Sequence, residues 1–110
     1  MTLQILVFYG SYRRDRAGIR LARYVTGQLA ARGHAAELID AQEVGLPMLD
    51  RMYKEHPPGE APSAMEALAG KIKAADAFVF VAGEYNWGMQ PGLKNLTDHF
   101  LEEWFWRPAE

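Results

Sequence analysis

The sequence predicts an α/β fold, a parallel β-sheet with helices on both faces, of which this chain carries three strands. Three observations point there. Short apolar runs rich in β-branched and aromatic residues alternate with stretches of helical spacing, in the order β-α-β-α-β-α. The strand-like runs do not alternate polar with apolar residues, so both of their faces must be covered. A strand, a helix and a second strand follow one another within about 40 residues, the βαβ unit whose right-handed crossover makes its two strands parallel neighbours.

The first strand is Leu3 to Tyr9 (LQILVFY), ended by Gly10-Ser11. From about Arg16 the apolar positions take helical spacing, with Gly18, Ala22, Val25 and Leu29 on one face and Arg16, Arg20 and Arg23 on another. Gly33 stops this helix at its C′ position. Ala36 to Asp40 is the second strand. Residues 41 to 62 contain Gly45, Pro47, Pro57, Pro58, Gly59 and Pro62, a long connection of the kind that carries function or moves, with one short turn expected within Val44 to Met52. Ser63-Ala64-Met65-Glu66 fits a capping box, in which the Ser63 hydroxyl would accept from the Glu66 amide and the Glu66 carboxylate from the Ser63 amide. The helix so opened runs to about Ala75. Ala77 to Ala82 (AFVFVA) is wholly apolar and reads as the most central strand, covered on both faces and flanked on both edges. Gly83 to Gly92 leads into a last helix from about Gly92 to Trp104, and Arg107-Pro108 breaks the pattern.

A chain of 110 residues suits one compact domain. Its 49% hydrophobic and 24% charged residues are those of an ordinary globular protein. A net charge of -2 lacks the basic surplus that nucleic acid or an anionic membrane would require, so phosphate recognition must be local. No apolar run reaches membrane-spanning length. Cysteine is absent, which excludes disulfides, thiolate metal sites and cysteine nucleophiles and is compatible with a reducing compartment; Met1 to Tyr9 runs into a short apolar segment without a basic region or a small-residue cleavage site, so a cytoplasmic protein is the simplest reading.

Ligands of parallel sheets bind beyond the carboxyl ends of the strands, which directs attention to Gly10 to Gly18 and Gly83 to Pro91. In the first loop, backbone amides, the Ser11 hydroxyl and the guanidinium groups of Arg13 and Arg16 can converge on one phosphate. The loop is neither a Walker A motif nor a G-x-G-x-x-G fingerprint, which disfavours triphosphates and a Rossmann-bound dinucleotide. Arg20 and Arg23 fit a solvated helix face. In the second loop, Glu84, Tyr85, Asn86 and Trp87 among three glycines can set backbone groups edge-on to a flat heterocycle. Equally, it can be a rigid turn in which Tyr85 and Trp87 fill gaps in the core.

Gly10-Ser11-Tyr12-Arg13, followed at a distance by Glu84-Tyr85-Asn86 and Leu93-Lys94-Asn95, resembles the NAD(P)H-dependent FMN reductase family, whose patterns read roughly GSxR and PEYN…PG(x)LKN followed by an Asp. Leu46-Pro47-Met48-Leu49-Asp50 is also similar to the family's stretch after its second strand. The resemblance implies a flavodoxin-like sheet in strand order 2-1-3-4-5, FMN as cofactor, and NADPH or NADH as co-substrate. Carried over, Ser11 and Arg13 would bind the FMN phosphate, and Glu84, Tyr85 and Asn86 would line the flavin ring. Arg16 and Gly18 stand where many members have small hydroxyl or amide residues, and Arg16 still suits an anion. Gly83 replaces the usual Pro, and the Pro-Gly pair is displaced by one position at Pro91-Gly92. Members continue into two more strands beyond the Arg107-Pro108 region, so the resemblance implies an FMN-binding domain over residues 1–110 that is incomplete at its carboxyl end.

The flavin carries the chemistry in such a reductase, so no catalytic acid, base or nucleophile is assigned; electrons would pass to a small-molecule acceptor such as a quinone, oxygen, free flavin or metal ion. The alternative is a flavin-binding electron carrier or redox-responsive module without nicotinamide turnover. His34, His56 and His99 show no metal-ligand spacing and are read as structural or surface residues. Glu102 and Glu103 are assigned to solvent. Trp104-Phe105-Trp106 is expected in the core or at a subunit interface, and with an open third strand it points either to a longer natural polypeptide or to a homo-oligomer that covers this edge.

Overall fold

The computed structural model describes residues 1–105 and 109. Its sheet is built from β1 (Gln4–Tyr9), β2 (Ala35–Asp40) and β3 (Ala77–Val81), all parallel, in the order β2-β1-β3. Val7 lies opposite Leu38 on one side and Val79 on the other. Ile5 to Tyr9 are all buried because β1 is paired on both edges and covered on both faces. Leu6 and Phe8 point into the main core, formed with Met65, Leu68 and Ile72 of α3 (Ser63–Ala74) and Leu93 and Leu96 of α4 (Pro91–Asp98). Strand alternation turns Ile5, Val7 and Tyr9 to the opposite face. There α1 (Ile19–Ala31) packs across β1 and β2, burying Ala22. Helices on both faces of a parallel sheet are thus what the sequence predicts.

The sequence places the most central strand at Ala77 to Ala82, but β1 holds that position. Among the described residues, β3 pairs along its full length only with β1, and its other edge carries a single parallel bridge from Phe78 to Ala109. Phe78 is 1% exposed, while the other residues of β3 are partly exposed.

The α1 helix starts at Ile19 with Gly18 as its N-cap, three residues later than the spacing suggested, because Arg16 is drawn out of the helical path into an ion pair. Its end matches expectation: Gly33 takes φ 91, its amide donates to the Ala30 carbonyl, and the His34 amide donates to the Leu29 carbonyl. This is the Schellman pattern.

The connection after β2 begins with one helical turn, α2 (Ala41–Val44), where the Asp40 carboxylate accepts from the Gln42 amide at 3.0 Å, and a 3-10 turn follows at Tyr53–Glu55. These replace the single turn expected within Val44 to Met52. The capping box at Ser63 does not form. Pro62 takes the N-cap position, so Ser63 is already helical, and the Glu66 carboxylate reaches past Pro62 to accept from the Ala61 amide (3.0 Å) and the Tyr53 hydroxyl (2.9 Å).

The last helix is also shorter than expected, ending at Asp98 with a separate 3-10 turn at Glu102–Trp104. The Thr97 carbonyl accepts from the Phe100 amide and from the Trp104 indole (3.2 Å), folding Trp104 back against Phe8, Phe78 and Phe100. Glu103, expected in solvent, is buried, and its carboxylate accepts from the Leu101 amide at 3.2 Å. Phe105 is 53% exposed, and Trp106, Arg107 and Pro108 lie outside the described residues.

Candidate functional site

Because β1 and β3 are parallel neighbours with Tyr9 opposite Val81, the loops that follow them emerge side by side at one end of the sheet. Two glycines let them close up. A Cβ on Gly10 would run into Leu93, and one on Gly92 into the Gly10 carbonyl and the Tyr12 ring. Gly10 and Gly92 are therefore required for space, and through them the first loop rests on the start of α4.

Within the first loop, Ser11 is buried and its Oγ accepts from the Arg13 amide at 3.2 Å. The hydroxyl proton is left to donate to a ligand. Among the described residues no carboxylate pairs with Arg13, whose side chain is exposed beside the cleft. Arg16 differs. Its guanidinium forms a two-pronged pair with Asp40 at 2.6 and 2.8 Å, donates to the Ser11 carbonyl at 3.2 Å, and lies 5.5 Å from the centre of the Tyr9 ring. The hydrogen bond to Asp40 raises the Arg16 pKa further above its usual value. Gly18 lies against the Tyr9 ring, where a Cβ would come within 3.0 Å. Burial, and secondarily the Asp40 charge, pushes the Tyr12 hydroxyl above its ordinary pKa.

The second loop is a small hairpin, β4 (Glu84–Tyr85) against β5 (Gly88–Met89), turned by Asn86 and Trp87 with φ 50 and 68. Positive φ at both central residues is the type I′ turn that matches strand twist. Tyr85 is 38% and Trp87 96% exposed, so neither fills the core.

Two adjoining clefts open between these loops. One of about 310 Å³ is lined by Tyr9, Ser11, Arg13, Arg16, Gly18, Tyr85 and Gln90, among others. The other, about 260 Å³, is lined by Gly10, Ser11, Tyr12, Arg13, Tyr85 and Gln90 together with the start of α4. The structure thus brings together Ser11, Arg13, Arg16, Gly18 and Tyr85 of the sequence-predicted set. Glu84, Asn86 and Trp87 stand on the hairpin, exposed, and do not line either cleft. Sequence reasoning missed Asp40, which neutralises Arg16, and Gln90, a buried side chain common to both clefts. Asp40 had a signal, since it ends the strand beside β1. Gln90 had none beyond its place before Pro91-Gly92.

A larger cavity, about 560 Å³, lies elsewhere, along the open edge of β3 between Phe78, Phe80, Leu93, Phe100 and Trp104. Its apolar walls offer no donor set for a phosphate. His99 is buried at the C-cap of α4 with Nδ1 2.6 Å from the Asn95 carbonyl, and His34 Nδ1 accepts from the Leu3 amide, which are structural placements. No helix among the described residues is long and apolar enough to cross a membrane.

A family profile described as NADPH-dependent FMN reductase matches residues 3–109. The chain is 34% identical over 120 residues to an NAD(P)H-dependent FMN reductase of Schizosaccharomyces pombe, covering 98% of this chain and 56% of the relative. It is 28% identical to an NAD(P)H-dependent FMN reductase of Saccharomyces cerevisiae, covering 97% and 62%, and 31% identical to a quinone reductase of Escherichia coli, covering 87% and 49%. The chain therefore spans about half to three fifths of the length of these relatives. Among solved structures, a flavoenzyme NAD(P)H:(acceptor) oxidoreductase of Paracoccus denitrificans superposes with a TM-score of 0.74 at 22% identity, covering 98% of this chain and 58% of that one. That likeness extends the three strands seen here to the flavodoxin-like fold.

Proposed function

The chain belongs to the NADPH-dependent FMN reductase family, and from that premise we propose that its two carboxyl-end loops hold FMN for an NAD(P)H-dependent reductase reaction. The observation that carries the reading is the junction of the two clefts, where Ser11 and Arg13 from one loop meet Tyr85 and Gln90 from the other. The residues present fit the group. A flavin mononucleotide needs donors for a dianionic phosphate at one end and a shaped slot for a flat ring at the other.

Ser11 donates its hydroxyl proton and Arg13 its guanidinium to the phosphate. Arg16, held by Asp40, fixes the Ser11 carbonyl and with it the loop's path. The hairpin of Glu84 to Met89 presents backbone groups and the Tyr85 ring beside the same opening, and Trp87 at its tip is free to cover a ligand from solvent. FMN held there would supply the redox chemistry between NADPH or NADH and a small-molecule acceptor such as a quinone, oxygen, free flavin or a metal ion. The protein's contribution is binding and orientation, and no side-chain acid or base is needed. The reading places the protein in the cytoplasm, in keeping with its cysteine-free sequence. It also makes it a homo-oligomer, which the exposed Trp87, Met89 and Phe105 support.

The test is NAD(P)H consumption by purified, FMN-loaded protein, with quinone or oxygen as acceptor. Turnover that depends on added FMN supports the reductase. Stable FMN binding without nicotinamide oxidation would make the protein an electron carrier instead.

A further inference from the structure

Among the described residues of the two-loop junction, Gln90 is the side chain with a buried polar atom that has no partner. The residue is 6% exposed, yet its Oε1 is buried with no hydrogen-bond partner. A buried carbonyl oxygen left unpaired destabilises the fold unless a ligand or water supplies a donor. Gln90 lines both clefts, next to Ser11 and Arg13 on one side and Tyr85 on the other. Room for it is made by Gly83, because a Cβ there would come 2.9 Å from the Gln90 Nε2. Gly83 stands where the resembling family usually has Pro, so this departure and the Gln90 side chain are in contact.

We propose that Gln90 is a ligand-binding residue whose Oε1 accepts a hydrogen bond from a hydroxyl of the flavin's ribityl chain. The assignment rests on the FMN reading above and adds a residue and a contact to it. The chemistry excludes the phosphate, and the position of Gln90 selects the ribityl segment over the ring. A phosphate dianion is rich in acceptors and offers Oε1 no proton, whereas every ribityl hydroxyl carries one. The ribityl chain is also the part of FMN that must pass between the phosphate donors Ser11 and Arg13 and the hairpin, which is where Gln90 lies.

The experiment is a four-way comparison. Wild-type chain and Gln90→Met are each titrated with FMN and with an analogue in which a phosphopentyl chain replaces phosphoribityl, so that phosphate and ring stay and the hydroxyls go. Methionine keeps the unbranched shape and removes the unpaired amide. The expected result is about a tenfold loss of FMN affinity in Gln90→Met, the size of one lost hydrogen bond, with no change for the analogue. The flavin-free variant is expected to melt at the same temperature as wild type or higher, because an unpaired buried acceptor has been removed. A purely structural glutamine would give the opposite: a lower melting temperature and an equal loss for both ligands, and that result overturns the proposal. FMN binding that is intact in wild type and unchanged in Gln90→Met overturns this assignment alone. A wild-type chain that binds no FMN overturns the functional reading and this inference with it.

Discussion

Arg13 and Arg16 stand three positions apart on one loop, and their surroundings give them different tasks. Arg16 and Asp40 have side chains only 13% and 4% exposed, so the pair is shielded from solvent. Removing one partner from such a pair leaves an uncompensated buried charge, and Arg16→Ala is expected to lower stability by about 3–5 kcal/mol in denaturant unfolding. Replacing both Arg16 and Asp40 with apolar residues should restore much of that loss. Arg13→Ala, by contrast, should leave stability nearly unchanged. It should weaken FMN binding by about 1.5–3 kcal/mol, one charge-assisted hydrogen bond, while sparing riboflavin, which has no phosphate. Fluorescence titration of both ligands checks this, and an equal loss for the two would remove the phosphate assignment. Tyr53 supplies a pH test, since its hydrogen bond to Glu66 and then burial raise its pKa above the ordinary value. The sign follows from linkage. The contribution is complete below the unfolded tyrosine pKa of about 10 and is lost as pH climbs through the higher folded value. Thermal midpoints should therefore fall at alkaline pH in wild type and fall less in Tyr53→Phe. That Ser11 and Arg13 would line one cleft was legible in the sequence because both follow directly on a buried strand, at the end of the sheet where such clefts open. The Arg16–Asp40 pair was not, because it joins elements 24 residues apart and depends on how loop and strand end are aimed.

At the scale of elements, the hairpin is where local conformation and side-chain choice disagree. Asn86 tolerates positive φ, but Trp87 at φ 68 does not, and its ring is 96% exposed, so no packing repays the strain. Trp87→Gly is expected to raise stability by up to about 1 kcal/mol, the ordinary cost of a left-handed residue with a side chain. If Trp87 covers the bound ligand, the same variant should also change the flavin fluorescence. A more stable variant with unaltered bound-flavin fluorescence would show that the indole does not reach the ligand. The hairpin was read from sequence only as a loop, since a two-residue I′ turn is usually announced by Asn-Gly, and here Trp replaces the glycine. Strands β1, β2 and β3 and the end of α1 were legible because hydrophobic runs and Gly33 act locally. Helix starts and ends were less so. Pro62 took the cap position from Ser63, leaving the Glu66 carboxylate to Tyr53 and Ala61, and Trp104 folded back onto Thr97 instead of extending the last helix.

At the scale of the molecule, the order β2-β1-β3 puts both cleft-forming loops at one end of the sheet and leaves the far side of β3 bridged only at Phe78 among the described residues. The apolar cavity along that side, with Leu101 40% and Phe105 53% exposed nearby, is costly to leave in water. The isolated chain is therefore expected to self-associate, and sedimentation at increasing concentration should show species larger than the monomer. A monomer that unfolds cooperatively would show that this edge needs no further cover. The central claim, that the loops after β1 and β3 together form one FMN site, has a more direct test. The purified chain is mixed with excess FMN, passed over a size-exclusion column, and its visible spectrum recorded. The account predicts an oxidised-flavin spectrum that co-elutes with the protein, is shifted from that of free FMN, and is lost in Arg13→Ala at concentrations where wild type retains it. A protein peak without flavin absorbance, with the FMN eluting free, would contradict it.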